Sequence, residues 1–200
     1  MNSTAMEAAC ASIEIETRAV CGLEGIERSE AFGQAVDALA ACPRIMTCAS
    51  GSSGIAARKF AHTLCCIERG AMFMPPGEAV HGGLGGLKTE DVMVMVSRGG
   101  KTAELMPVID VCRKKGATLI AVTENLNSIL AQAAAIVLPL RIERESDPLD
   151  TMATSSFIAT IALFDALIAA LIEQTGFTRA QFGLIHPGGA VGEELSGDGS

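Results

Sequence analysis

The sequence predicts a doubly wound α/β fold, a parallel sheet with helices on both faces. Two observations predict it. From Arg44 onward, short apolar runs alternate with helical segments, which implies right-handed strand–helix–strand crossovers. The run Val92-Met93-Val94-Met95-Val96 is apolar at every position, so both faces of that strand are expected to be buried, as in a parallel sheet.

The elements follow in order. The first forty residues read as two helices with a break bracketed by Gly22 and Gly25, the second running to about Ala41 before Pro43. Strand candidates are Ile45–Ala49, Ala71–Met74, Asp91–Val96, Thr118–Thr123 and Ile136–Leu140. Helix candidates are Ile55–Arg69, Gly77–Leu84, Ala103–Lys115, Ile129–Ala134 and Thr154–Glu173. One domain is expected over residues 1–200, with amino-terminal helices to residue 43, a core over 44–195 and a loose tail over 196–200. Met72, Met74, Met93 and Met95 read as core at strand spacing, and His62 as a packing residue on its helix.

Composition excludes several classes. Nearly half of the 200 residues are apolar, which rules out bulk disorder. A net charge of -8 argues against generic binding to duplex nucleic acid or a membrane surface, but not against a small anion held by local donors. The seven cysteines are odd in number and show no metal-ligand spacing, so reduced, mostly buried thiols in a cytoplasmic setting are expected, with no metal and no cofactor. The acidic amino terminus is unlike a signal peptide. The apolar stretch Phe157–Ile172 is shorter than the ~20 residues that span a bilayer and contains Asp165, so it reads as a core helix.

In doubly wound sheets, ligands bind beyond the carboxyl ends of the strands. That rule selects two loops, Gly51-Ser52-Ser53-Gly54 and Ser97-Arg98-Gly99-Gly100-Lys101-Thr102. Both suit a phosphate: glycines admit close backbone approach, hydroxyls donate, and a helix amino terminus follows. Arg98 and Lys101 add positive charge. The same residues are also ordinary turn and cap residues, with Ser53 and Thr102 placed to cap their helices. Neither loop is a Walker A or GxGxxG sequence.

With these loops the chain resembles the sugar isomerase (SIS) domain superfamily, and within it the arabinose-5-phosphate isomerases. The resemblance rests on an ordered set: Gly51–Gly54, then Pro76-Gly77-Glu78-Ala79-Val80-His81-Gly82, then Ser97–Glu104. Glu145 with Asp147-Pro148-Leu149 follows, then Ala153-Thr154-Ser155-Ser156, and last His186-Pro187-Gly188-Gly189-Ala190-Val191-Gly192. It implies a five-stranded, flavodoxin-like parallel sheet in a homo-oligomer, a dimer or tetramer, with a sugar phosphate as ligand. It implies that Ser97, Thr102 and the backbone of Gly99, Gly100 and Lys101 grip the phosphate, with Thr154 and Ser155 adding to that grip. Glu104, Glu145 and His186 match catalytic residues, and His81 a histidine close to the site. The chain departs from the family at Ser52, where a catalytic lysine is expected, at Pro75 in place of a histidine and at Gly99 in place of a serine. The paired CBS modules that usually follow the domain have no counterpart in the sequence.

Aldose–ketose isomerisation needs ring opening, a base that carries a proton between C1 and C2, and stabilisation of the enediolate. A carboxylate serves as base if burial lifts its pKa from ~4.3 towards ~6–7. Glu145 is the first choice and Glu104 the second, while His186 is suited to opening the ring. The leading expectation is an isomerase of a pentose 5-phosphate. A module that binds a sugar phosphate without turnover is the alternative, supported by Ser52 and Pro75. An enzyme of a hexulose or amino-sugar phosphate, another branch of the superfamily, ranks behind the first because of the PGEAxHG and HPGGAxG motifs.

Overall fold

The computed structural model describes residues 2–187. Two helices come first, α1 (Ser3–Cys21) and α2 (Glu30–Ala41), joined through a short 3-10 turn at Ile26–Arg28. Five strands follow: β1 (Ile45–Cys48), β2 (Ala71–Phe73), β3 (Val92–Val96), β4 (Thr118–Thr123) and β5 (Ile136–Pro139). Between and after them lie α3 (Gly51–Cys65), α4 (Pro76–Val80), α5 (Met106–Lys115), α6 (Ile129–Ala133), α7 (Ser155–Thr175) and α8 (Arg179–Ile185). The sheet is wholly parallel with strand order β2-β1-β3-β4-β5. Neighbouring β1 and β3 pair Thr47 with Val94, and the chain departs from them in opposite directions. That reversal is where such sheets open a crevice at the strand ends.

The alternation of side chains makes two cores. Val92, Val94 and Val96 face α2, α3 and α7, together with Ile120 and Val122. Met93 and Met95 face the other way, onto Leu105 and Val108, Ile109 and Cys112 of α5. Phe60 of α3 stacks on Phe164 of α7 with ring centroids 4.1 Å apart. At ~25 cal/mol per Å², each such ring contributes about 2–3 kcal/mol on burial. α7 runs 21 residues and is long and apolar enough to cross a membrane by length and composition. Its Ala159, Leu163, Phe164, Leu167 and Leu171 are buried in the core, and Asp165 turns outward to an ion pair with Lys59.

Several expectations need correction. α3 begins at Gly51 rather than Ile55, so the Gly-Ser-Ser-Gly segment is the first turn of the helix and not a free loop. Met72 is 48% exposed, because β2 is an edge strand with only β1 beside it. His62 is exposed and lies 3.7 Å from the Cys66 sulfur instead of packing inward. All seven cysteines are free, but only Cys42, Cys48 and Cys112 are buried. Burial pushes the Cys48 thiol up to about 12, which makes it a packing residue and not a nucleophile. α8 was not expected; Thr178 and Gln181 close it with a reciprocal capping box.

Candidate functional site

The carboxyl ends of β1 and β3 present two groups of backbone donors side by side. Ser50 is the cap residue of α3 and makes no side-chain capping bond. Ser53, expected to cap, sits inside the first turn, where its hydroxyl has no amide ahead of it to receive. Gly51 has φ +58, a left-handed geometry that turns the chain sharply into the helix. Among the described residues, the amides of Gly51, Ser52 and Ser53 have no protein acceptor; the first bonded amide is that of Gly54, donating to Ser50 O at 3.1 Å. These are the orphan donors of a helix amino terminus, with the positive end of the dipole behind them.

The second group is the loop after β3. Ser97 is 5% exposed, and its hydroxyl is 2.8 Å from that of Thr102. Gly100 N donates to Ser97 O at 3.0 Å and to Ser97 Oγ at 3.1 Å, which closes the loop into a ring. Gly100 has φ +64, and a Cβ there would lie 1.9 Å from Ser128 Oγ, so only glycine fits. The amides of Gly99, Lys101 and Thr102 have no protein acceptor among the described residues. Thr102 precedes a 3-10 turn, Ala103–Leu105, without capping it by its side chain. Lys101 is exposed and forms no salt bridge among the described residues.

Arg98 does something else than expected. Its Nε pairs with Glu124 at 2.6 Å and its terminal nitrogen with Glu145 Oε1 at 2.9 Å, so its charge is spent on carboxylates of the chain itself. Glu145 is 2% exposed, although the charge-dense segment Arg141–Asp147 around it reads from sequence as a solvated acidic loop. Its carboxylate accepts from Thr154 N at 2.9 Å, Ser156 N at 3.1 Å and Ser156 Oγ at 2.5 Å. Burial pushes its pKa up, but the bonds from Ser156, the amides of Ser156 and Thr154, and the Arg98 charge outweigh that push. The carboxyl is held below its ordinary value. A raised pKa, the condition for Glu145 to act as a base, is opposed by these bonds.

The surrounding segment is equally bonded. Asp147 accepts the amides of Leu149, Thr151 and Met152, and Asp150 Oδ1 accepts that of Glu145 at 2.7 Å. Ser146 Oγ donates to Glu16 of α1 at 2.9 Å and accepts from Ser12 at 2.8 Å. Ser53 of the α3 terminus, Arg98 and Ser156 face one narrow cleft, so all three segments share a rim.

The SIS domain family matches residues 38–170. The chain belongs to the SIS domain family. It is 39% identical over 157 residues to the arabinose 5-phosphate isomerase KdsD of Pseudomonas aeruginosa, covering 78% of this chain and 48% of that protein. To KdsD of Escherichia coli K12 it is 37% identical over 152 residues, covering 76% and 46%. The chain thus spans about half the length of the curated relatives it matches. A solved structure of an E. coli CFT073 protein in complex with A5P superposes with a TM-score of 0.84 at 32% identity, covering 94% of this chain and 100% of that one. A Listeria monocytogenes structure, a candidate sugar-phosphate isomerase, superposes with a TM-score of 0.89 at 40% identity, with the same coverage. The five-stranded parallel sheet expected from the sequence is the sheet of these SIS structures.

This SIS domain brings some of the remaining residues to the rim and not others. Glu104 lies in the 3-10 turn directly after the β3 loop and is exposed. α4 packs against that turn, and His81, exposed at the end of α4, makes no side-chain hydrogen bond among the described residues. Thr154 does not face an open anion site: its amide and hydroxyl are bonded to Glu145, and its hydroxyl also accepts Ser146 N at 2.7 Å. Ser155 is fully buried, with its hydroxyl unpartnered. His186 ends α8, stacked on Phe182 at 3.8 Å with Nδ1 3.0 Å from Phe182 O. α8 is tied by Gln181 to Glu68, beyond the carboxyl end of α3 and so at the far side of the sheet from the loops. Residues Gly188–Gly192 of the last motif, and the tail 196–200, lie outside the described residues. Sequence reasoning missed Thr123 and Ser128 and gave Ser156, though named in a motif, no role; Ser128, a serine just ahead of a helix, carried a readable capping signal.

Proposed function

We propose that this SIS domain is a phosphosugar isomerase acting on a pentose 5-phosphate. One observation carries the reading: amides of Gly51–Ser53 and of Gly99, Lys101 and Thr102, without an acceptor among the described residues, lie on adjacent strand ends beside the Ser97 and Thr102 hydroxyls. That is a dianion receptor built from neutral donors, with Lys101 as the nearby free cation. The similarity to the E. coli CFT073 structure that contains A5P supports a five-carbon ligand.

With the phosphate in these loops, the open-chain sugar extends toward Glu104 and His81. Glu104 takes the C2 proton of the aldose and returns it to C1, while His81 moves the hydroxyl proton between O1 and O2. Glu145, held ionised and fully bonded, is assigned to hold Arg98 and the start of α7 rather than to carry the proton. His186, tied to the far side of its own chain, would join a site only from a second copy, in keeping with the dimer or tetramer expected from the sequence.

The test is exchange of the C2 proton in D2O, followed by proton NMR with a panel of pentose and hexose phosphates. Exchange on a pentose 5-phosphate, abolished by Glu104→Gln, is expected. Thermal stabilisation by a sugar phosphate with no exchange on any of them would instead assign a binding module, the reading that Ser52 in place of lysine favours.

A further inference from the structure

The β3 loop holds its shape through β4 and the turn that follows. Thr123, the last residue of β4, is fully buried beneath the loop. Its hydroxyl donates to Arg98 O at 3.0 Å and accepts the Asn125 amide at 3.3 Å, so both its proton and its lone pair are directed. Glu124 N donates to the same carbonyl at 3.0 Å, and the Asn125 amide is shared with it at 3.4 Å, so the Thr123 hydroxyl is the side-chain donor beside two amides. Two residues along the loop, Gly100 O accepts from Leu130 N at 3.2 Å, and Ser128 presses against the Gly100 Cα. The carbonyls of Arg98 and Gly100 are therefore pulled down onto the β4–α6 turn. A peptide plane whose carbonyl is drawn one way presents its N–H the other way. The N–H groups of Gly99 and Lys101 belong to those two peptide planes, and they are among the amides without a protein acceptor.

We infer that Thr123 is the positioning residue of the phosphate loop: its hydroxyl, through the Arg98 carbonyl, aims the Gly99 amide at the ligand. It touches no substrate atom. The inference rests on the reading of the loop as a phosphate receptor, and it also makes a claim about the loop without ligand. Threonine meets two demands at once, since its side chain is fully buried at the end of β4 and its hydroxyl reaches the carbonyl. Valine keeps the first, and serine keeps the second.

Thr123→Val and Thr123→Ser separate these roles. In the full chain, hydrogen exchange of the Gly100 amide, the loop donor that closes onto Ser97, is expected without ligand to quicken about tenfold in Thr123→Val and to stay unchanged in Thr123→Ser, the loss of one directed hydrogen bond being worth about that factor. Arabinose 5-phosphate should bind about tenfold more weakly to Thr123→Val, with its KM rising by the same factor and kcat changing less than twofold. Thr123→Ser should bind as the parent does although its melting temperature is the lower for the lost methyl. Unchanged exchange and affinity in Thr123→Val, or affinity that follows melting temperature across both variants, would overturn the inference. If the parent chain binds no sugar phosphate, the phosphate reading fails, and the exchange measurement alone still decides whether Thr123 orders the loop.

Discussion

Two helix amino termini meet at one rim of this sheet, and they differ in a single respect. α7 receives a carboxylate from its own chain: Glu145 takes the amides of Thr154 and Ser156 and the hydroxyl of Ser156. Among the described residues α3 receives nothing, and the amides of Gly51, Ser52 and Ser53 stay open beside those of Gly99, Lys101 and Thr102. Both ends carry the same dipole and the same kind of orphan donors. A serine-rich helix start therefore indicates a ligand only when the chain does not supply the anion itself. Arg98 follows the same rule: an arginine in a phosphate-loop sequence is a strut here because Glu124 and Glu145 reach it first.

The contrast can be broken or sharpened by substitution. The largest effect is expected from Glu145→Ala, which leaves the α7 amides without an acceptor and Arg98 without its buried partner. Removing one member of such a buried set costs roughly 3–5 kcal/mol, readable as a lower urea midpoint with unchanged slope. Gly100→Ala comes next, because its Cβ would meet Ser128 and its φ of +64 disfavours any side chain. About 2 kcal/mol of stability and more than tenfold in sugar-phosphate affinity should be lost together. Thr102→Val should weaken sugar-phosphate binding by about tenfold and also lower the urea midpoint by the equivalent of about 1 kcal/mol, since its hydroxyl is the partner of the buried Ser97 hydroxyl as well as a donor at the rim.

A pH series sharpens the closed side. The folded pKa of Glu145 is held below the ordinary Glu value of ~4.3, so its ionised form stabilises the fold above that value. This contribution is present at neutral pH and is lost as pH falls through the folded pKa, while the unfolded chain binds its proton first. Asp147 behaves in the same sense: burial pushes its carboxyl up, but the Met152, Thr151 and Leu149 amides prevail and hold it low. Glu145→Gln should therefore unfold in acid with a shallower dependence on pH than the parent below about pH 4.5. The smallest effect is expected of Ser53→Ala, whose hydroxyl makes no protein bond among the described residues, with under 0.5 kcal/mol in stability.

Much of the fold was legible because strand burial is periodic and strong. Val92–Val96 could only be a strand buried on both faces, and β4 matches its sequence boundaries from Thr118 to Thr123. β2 was legible in place but not in exposure, since nothing in Ala71–Met74 says that it stands at the sheet edge. The open donors were legible at Ser97–Thr102, where glycines and hydroxyls fall between strand and helix. The closed ones were not. Glu145 and Ser156 are separated in sequence by a bonded loop, and only the tertiary path through Asp147 and Asp150 brings the carboxylate back onto the α7 amides. Burial was the condition for a raised Glu145 pKa, and it does push that way; the donors that reverse it come from α7 and Arg98, which no local pattern joins to it. Thr123 was read only as a strand end, because a hydroxyl turned toward a loop carbonyl leaves no periodic trace.

Amide chemical shifts of the isotope-labelled chain during titration with arabinose 5-phosphate test the contrast most directly. Saturable shifts are expected at Gly51, Ser52, Ser53, Gly99, Lys101 and Thr102, with Thr154 and Ser156 unmoved because Glu145 already occupies them. Shifts concentrated at Thr154–Ser156, or saturable binding that leaves both open loops unmoved, would contradict it.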